Sequence, residues 1–163
     1  MGLRMVAPEK PSCPSAQPEW KGSVTIGIVR GTVTQPRLQL FPEPFPVTEQ
    51  LLALTKGVSP TEVFRFAAPC ANSACAHFGS GRCHLVEKVV DAVLPVVSAL
   101  PDCSIRPNCR WHAQEGEAAC LRCPQVITDH PTASAVLHRV ADPANTAVPR
   151  QAVSGGIPRV IDP

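Results

Sequence analysis

Seven of the eight cysteines of this chain fall between Cys70 and Cys123, a concentration that constrains the fold more than any other feature of its 163 residues. Cys70, Cys75 and Cys83 are spaced C-x4-C-x7-C. After a gap of nineteen residues, Cys103, Cys109, Cys120 and Cys123 follow as C-x5-C-x10-C-x2-C. Thiols placed for packing alone are rarely so clustered, whereas a metal site needs several soft anionic ligands brought together by short loops. The rest of the chain makes such a site useful. Only seven aromatic residues stand beside 19 prolines and 10 glycines, and the apolar content is mostly Ala and Val. A chain of this kind buries little area per residue, so metal ligation would help it hold one structure.

In an oxidising compartment an even cysteine count would suggest disulfides. The stretch from Met1 to Trp20 is interrupted by prolines and charges and lacks the apolar run of a signal peptide. The longest apolar stretch, Val89 to Leu100, is broken by Asp91 and Pro95 and is too short for a bilayer. The expected location is therefore the reducing cytoplasm, with no membrane association. Net charge is +2 with the basic residues scattered. Between Cys70 and Cys123, Arg82, Lys88, Arg106, Arg110 and Arg122 are balanced by Glu87, Asp91, Asp102, Glu115 and Glu117. No phosphate-tracking surface is indicated, which argues against nucleic acid and leaves a redox or enzyme protein as the expected partner.

The chain reads as a disordered N-terminal arm over residues 1–21, a single domain over 22–141 and a flexible C-terminal tail over 142–163. The domain carries the Cys-rich metal-binding segment 70–124. The expected fold is α+β: a small, irregular, metal-stapled domain of short helices and a minor β-hairpin. Val24, Ile26, Ile28 and Val29 predict a strand within 24–33, paired with 37–41 across a turn near Pro36. Thr48 and Ser59-Pro60 are helix-start signals for two short helices leading into Cys70. Leu85, Val86, Val89, Val90 and Val93 predict a helix with Cys83 at its N-terminus, ended near Pro95. That position and Arg82 would lower the Cys83 thiol pKa and make it the best reactive cysteine. Residues 118–123 predict one turn that puts Cys120 and Cys123 on one face, and residues 132–141 a further helix.

Structural zinc takes ligands in tight pairs, which only Cys120/Cys123 and Cys70/Cys75 approach. Iron–sulfur clusters tolerate wider and less regular spacing. Cys123-Pro124 is similar to the Cys-Pro that closes bacterial ferredoxin-type runs, although the full run is absent. The expected cofactor is an iron–sulfur cluster of the 4Fe-4S type, one or two in number, with Zn as the alternative. The ligand candidates are Cys70, Cys75, Cys83, Cys103, Cys109, Cys120 and Cys123. The second group is complete with four. The first has three and would need His77, His84, a second-group cysteine or an outside ligand, leaving an iron open to substrate. Cys13, in the Pro-rich arm, is expected to play no part. Arg106, Arg110 and Arg122 are candidates to offset cluster charge.

Three function classes follow: an iron–sulfur protein in electron transfer or serving an enzyme system, a zinc-stabilised protein-interaction module, and a thiol-disulfide oxidoreductase acting through Cys120 and Cys123. The last lacks the βαβ context of thioredoxin-like motifs. No nucleophile–base pair or phosphate-binding glycine loop marks the chain as an enzyme.

Overall fold

The computed structural model describes residues 10–145. The expectations for residues 1–9 and 146–163 lie outside them. Among the described residues the architecture is α+β: a four-stranded antiparallel sheet, a two-stranded hairpin and six short helices. The sheet comprises β1 (Ser12–Ala16), β2 (Val24–Gly31), β3 (Pro36–Pro46) and β4 (Phe64–Pro69), in the order β1-β4-β2-β3.

The β2–β3 pair is the expected hairpin, with β3 running further than expected, to Pro46. Its register shifts between Thr25 and Gly27, where the strand also slips against β4. A Cβ on Gly27 would meet the Gln39 carbonyl oxygen at 2.7 Å, so only glycine fits this bulge. α1 (Glu49–Ala53) starts at Thr48, whose side chain accepts from the Leu51 N–H, as its cap signal predicts. α2 (Pro60–Val63) starts at Ser59, whose N–H donates to Glu62 at 2.9 Å.

The structure departs from the sequence expectation at two places. Ser12–Ala16, placed in a disordered arm, is a strand, because antiparallel pairing with β4 satisfies its backbone. The chain also enters Cys70 from β4 and not from a helix. Phe64, Phe66 and Ala68 pack with Ala16, Trp20, Leu51 and Leu52 on one face of β4, while Arg65 and Ala67 alternate to the other face. Both faces are covered, so the run from Phe64 to Ala68 is entirely buried.

After Cys70 the hairpin β5 (Phe78–Gly79) and β6 (Arg82–Cys83) turns through Ser80 (φ 51°) and Gly81 (φ 75°), the two positive φ values that a tight hairpin turn requires. It leads directly into α3 (His84–Ala92), with Cys83 at the N-cap as expected. α4 (Arg110–Glu115) and α5 (Glu117–Cys120) are separated by Gly116 at φ 63°, and α6 is Ala135–Ala141. Glu115 therefore ends one helix and Glu117 begins the next. A 3-10 turn, Cys123–Gln125, follows α5 and carries Pro124 in its first positions. α6 packs Val136 and Val140 on Val89 and Ala92 of α3. A third small core joins Val86, Cys109, Trp111 and Ala119. No helix among the described residues is long and apolar enough to cross a membrane.

Candidate metal centre

All eight cysteines carry free thiols, and they segregate into two sets of four. Cys13, Cys70, Cys75 and Cys83 line one cavity of about 260 Å³. Cys103, Cys109, Cys120 and Cys123 line a second, of about 20 Å³. The seven cysteines expected from spacing thus divide as their two groups suggest. The incomplete first group gains Cys13, which its Pro-rich surroundings did not mark as a ligand.

The sheet recruits Cys13. It pairs with Ala68, two residues before Cys70, and the Cys70 N–H donates to the Pro11 carbonyl at 2.8 Å. β1 is held on its other side as well. Ser12 bridges Cys109, and Asn108 Nδ2 donates to the Lys10 carbonyl at 3.0 Å. The strand therefore runs between the two sets and supplies a ligand candidate to the first. Burial pushes the Cys13 thiol up to about 12 against a backbone hydrogen bond from Ser15, and the facing thiols of Cys70, Cys83 and Cys75 add to the rise.

The remaining first-set cysteines sit on local geometry that the sequence shows in part. A 3-10 turn at Asn72–Ala74 separates Cys70 from Cys75, and Cys83 faces Phe78 across the β5–β6 hairpin. Gln114 holds Cys83 from both sides, accepting from its N–H at 2.8 Å and donating to its carbonyl at 3.0 Å. The thiol pKa of Cys83 is raised and not lowered. Burial outweighs the hydrogen bonds from the Val86 and Leu85 amides at the helix start, and Arg82 points its charge at Glu87 and Glu115. His77 lines the first cavity, and its pKa is lowered by burial and by Lys88. His84 is instead engaged by Glu87, with Nδ1 2.8 Å from the carboxylate.

In the second set, the 3-10 turn Arg106–Asn108 separates Cys103 from Cys109, and α5 delivers Cys120. Ile26, Leu40, Pro101 and Trp111 complete an almost wholly apolar lining. Burial pushes the Cys109 thiol up to about 12. It raises Cys123 as well, with Arg65 opposing.

Arg65 is the residue that sequence reasoning missed. It is 1 % exposed and lies in a central strand, where an arginine is rare. Its guanidinium donates to the Pro14 and Val126 carbonyls, lies 3.5 Å from Cys123 Sγ through Nη2, and stacks 5.6 Å from the Trp111 ring centroid. The alternation Phe64-Arg65-Phe66 by itself puts the arginine on a solvent-facing side of a strand, so no local signal marks its burial. Lys88, 2 % exposed, is a second buried cation. Its Nζ donates to the Asp142 carbonyl at 2.7 Å, and burial lowers its pKa against the pull of Asp142 and Cys83. Among the described residues, ion pairs form only around Arg82, His84, Glu87 and Glu115.

Of the three arginines expected near the second set, only Arg106 lines its cavity. Arg110 reaches across to Asn72 and stacks 5.3 Å from Phe78, beside the first set. Arg122 donates to the Val93 and Ala118 carbonyls, a structural role.

Among the described residues no three His, Cys, Asp or Glu side chains converge on one point as they would around a single metal ion. No protein-family model, no curated protein and no solved structure matches the chain.

Proposed function

We propose that the chain is an iron–sulfur protein, its cluster held by the Cys13, Cys70, Cys75 and Cys83 set, that carries electrons for a protein partner in a reducing compartment such as the cytoplasm. The observation that carries this reading is the division of eight free thiols into two sets of four, with the Arg65 guanidinium 3.5 Å from Cys123 of the second. A buried ammonium or guanidinium without a counter-charge costs several kcal/mol. Arg65 against Cys123 becomes favourable once that cysteine is a thiolate, and thiolates are what a bound metal requires.

The first cavity favours a cluster over one zinc ion. Zn–S bonds of about 2.3 Å draw four sulfurs to within about 3.8 Å of one another. A cavity of about 260 Å³ walled by four cysteines and His77 has room for a larger group. With Cys13 as fourth ligand, the first site needs no outside ligand and leaves no iron open to substrate. What the chain itself contributes is insulation, charge and position: an apolar wall, two buried cations and rigid turns that fix the thiols.

A second reading, zinc at the Cys103 set as a structural clamp, draws on the small space of about 20 Å³ there. One analysis tests both. Protein purified without oxygen should be brown and contain iron and acid-labile sulfide in comparable amounts. Colourless protein with stoichiometric zinc at both sets would overturn the proposal.

A further inference from the structure

Two side chains that line the first cavity carry buried nitrogens with nothing to bond to. His77 Nδ1 and Arg110 Nε are both closed to solvent and meet no hydrogen-bond partner among the described residues. The guanidinium nitrogen is always an N–H, and the imidazole nitrogen is one in the corresponding tautomer. A buried donor left unpaired is costly, so two of them on one cavity wall mark a place where a bound group supplies the missing acceptors. The thiols of Cys13, Cys70, Cys75 and Cys83 share that wall.

Both side chains are held in place by the elements that carry these cysteines. Arg110 donates through Nη2 to Asn72, in the turn between Cys70 and Cys75, and stacks 5.3 Å from the ring centroid of Phe78, the residue opposite Cys83 in the β5–β6 hairpin. One helical turn further along α4, Gln114 accepts from the Cys83 N–H at 2.8 Å, so Arg110 and Gln114 turn the same face of the helix to the first set. The His77 carbonyl accepts from the His84 N–H at 2.8 Å, which ties the imidazole-bearing loop to the start of α3.

We infer that His77 and Arg110 are the hydrogen-bond donors to sulfur of the cluster held by Cys13, Cys70, Cys75 and Cys83, and that they raise its reduction potential. The inference rests on the iron–sulfur reading of that set. Four thiolates already occupy the four corners of a 4Fe-4S cluster, so the imidazole is assigned to a sulfur and not to an iron. The sulfurs gain negative charge when the cluster takes one electron from a one-electron donor, and N–H groups directed at them stabilise that charge. No covalent bond is made or broken in the step, and both side chains keep their protons.

The test uses the full chain, reconstituted anaerobically with iron and sulfide and titrated with dithionite under electron paramagnetic resonance. His77→Leu and Arg110→Leu should each keep their iron and sulfide and lower the midpoint potential, making reduction about tenfold less favourable, the scale of one hydrogen bond to a charged group. His77→Gln, which keeps a side-chain N–H, should recover most of the shift. In the unaltered protein grown with isotopically labelled histidine, the reduced cluster should show a weak coupling to one imidazole nitrogen. An unchanged potential in either leucine variant, with its iron and sulfide retained, overturns the inference. So does a coupling as strong as a direct iron–nitrogen bond, which makes His77 a ligand and leaves the iron–sulfur reading standing. A chain that takes up no sulfide with its iron defeats that underlying reading itself. Should a variant fail to fold, the nitrogen coupling of the unaltered protein decides, and its absence overturns the inference.

Discussion

The Cys70 N–H donates to the Pro11 carbonyl at 2.8 Å, and through this contact the strand carrying Cys13 is fixed against the start of the cysteine-rich segment. The register that follows, Ser12 with Pro69 and Cys13 with Ala68, turns a residue far upstream into the fourth member of the first set.

Replacing Cys13 by Ser should therefore reduce iron at the first site as strongly as Cys75→Ser, since both exchange a thiolate for a weak hard ligand. Cys109→Ser should instead lower the metal held by the second set and leave the first unchanged, because its bridge to Ser12 is a backbone contact that the substitution keeps. Iron and sulfide counts on the three variants check this. Full retention in Cys13→Ser would show that the strand is only structural.

Lys88→Met separates loaded from metal-free protein by sign. With thiols protonated, the pull of Asp142 and one hydrogen bond to its carbonyl are all that offset the burial of the ammonium, and its removal should leave stability unchanged or improved. With metal bound, the same substitution removes a counter-charge near Cys83 and should destabilise by about 1–3 kcal/mol. Denaturant unfolding of both forms gives the two signs, and identical effects in each would refute the charge argument.

The metal-free protein should lose stability as pH rises. Cys13 and Cys109 have folded values raised from 9.0 to about 12. A raised acid contributes stability that is full below its unfolded pKa and disappears as pH climbs through the folded one, so the loss spans roughly pH 9 to 12. Loaded protein should behave in the opposite sense, since acid protonates the thiolates and releases metal. Melting temperature against pH, with and without metal, checks both slopes. In the same metal-free protein Cys13 and Cys109 should alkylate more slowly than Cys70 or Cys75 at pH 8.5, and equal rates would contradict the burial.

Metal removal should loosen residues 70–123 and β1 together, because β1 is tied to both sets. The β2–β3 hairpin, backed by α1 and α2, should keep its amide protection. Hydrogen exchange with and without chelator reads both regions, and unchanged protection across β1 would rule out the link.

Sequence alone determined the local devices. Thr48 and Ser59-Pro60 cap their helices, the Leu85 to Val93 period makes α3, and the spacing of the last four cysteines already encloses a complete set. In each, the physical cause lies within a few residues: a side chain reaching the next turn, a periodic apolar face, a short loop. Cys13 and Arg65 were illegible for the opposite reason. Nothing near Cys13 marks it as a ligand, and nothing near Arg65 makes an arginine at home in a buried strand. Cys13 gains its place only when β1 pairs with β4, and Arg65 only when Pro14, Trp111, Cys123 and Val126 close around it. Those partners lie 51 and 61 residues away for the Pro14 and Val126 bonds, so it was the closing of long loops into one sheet and one shared wall that decided both roles.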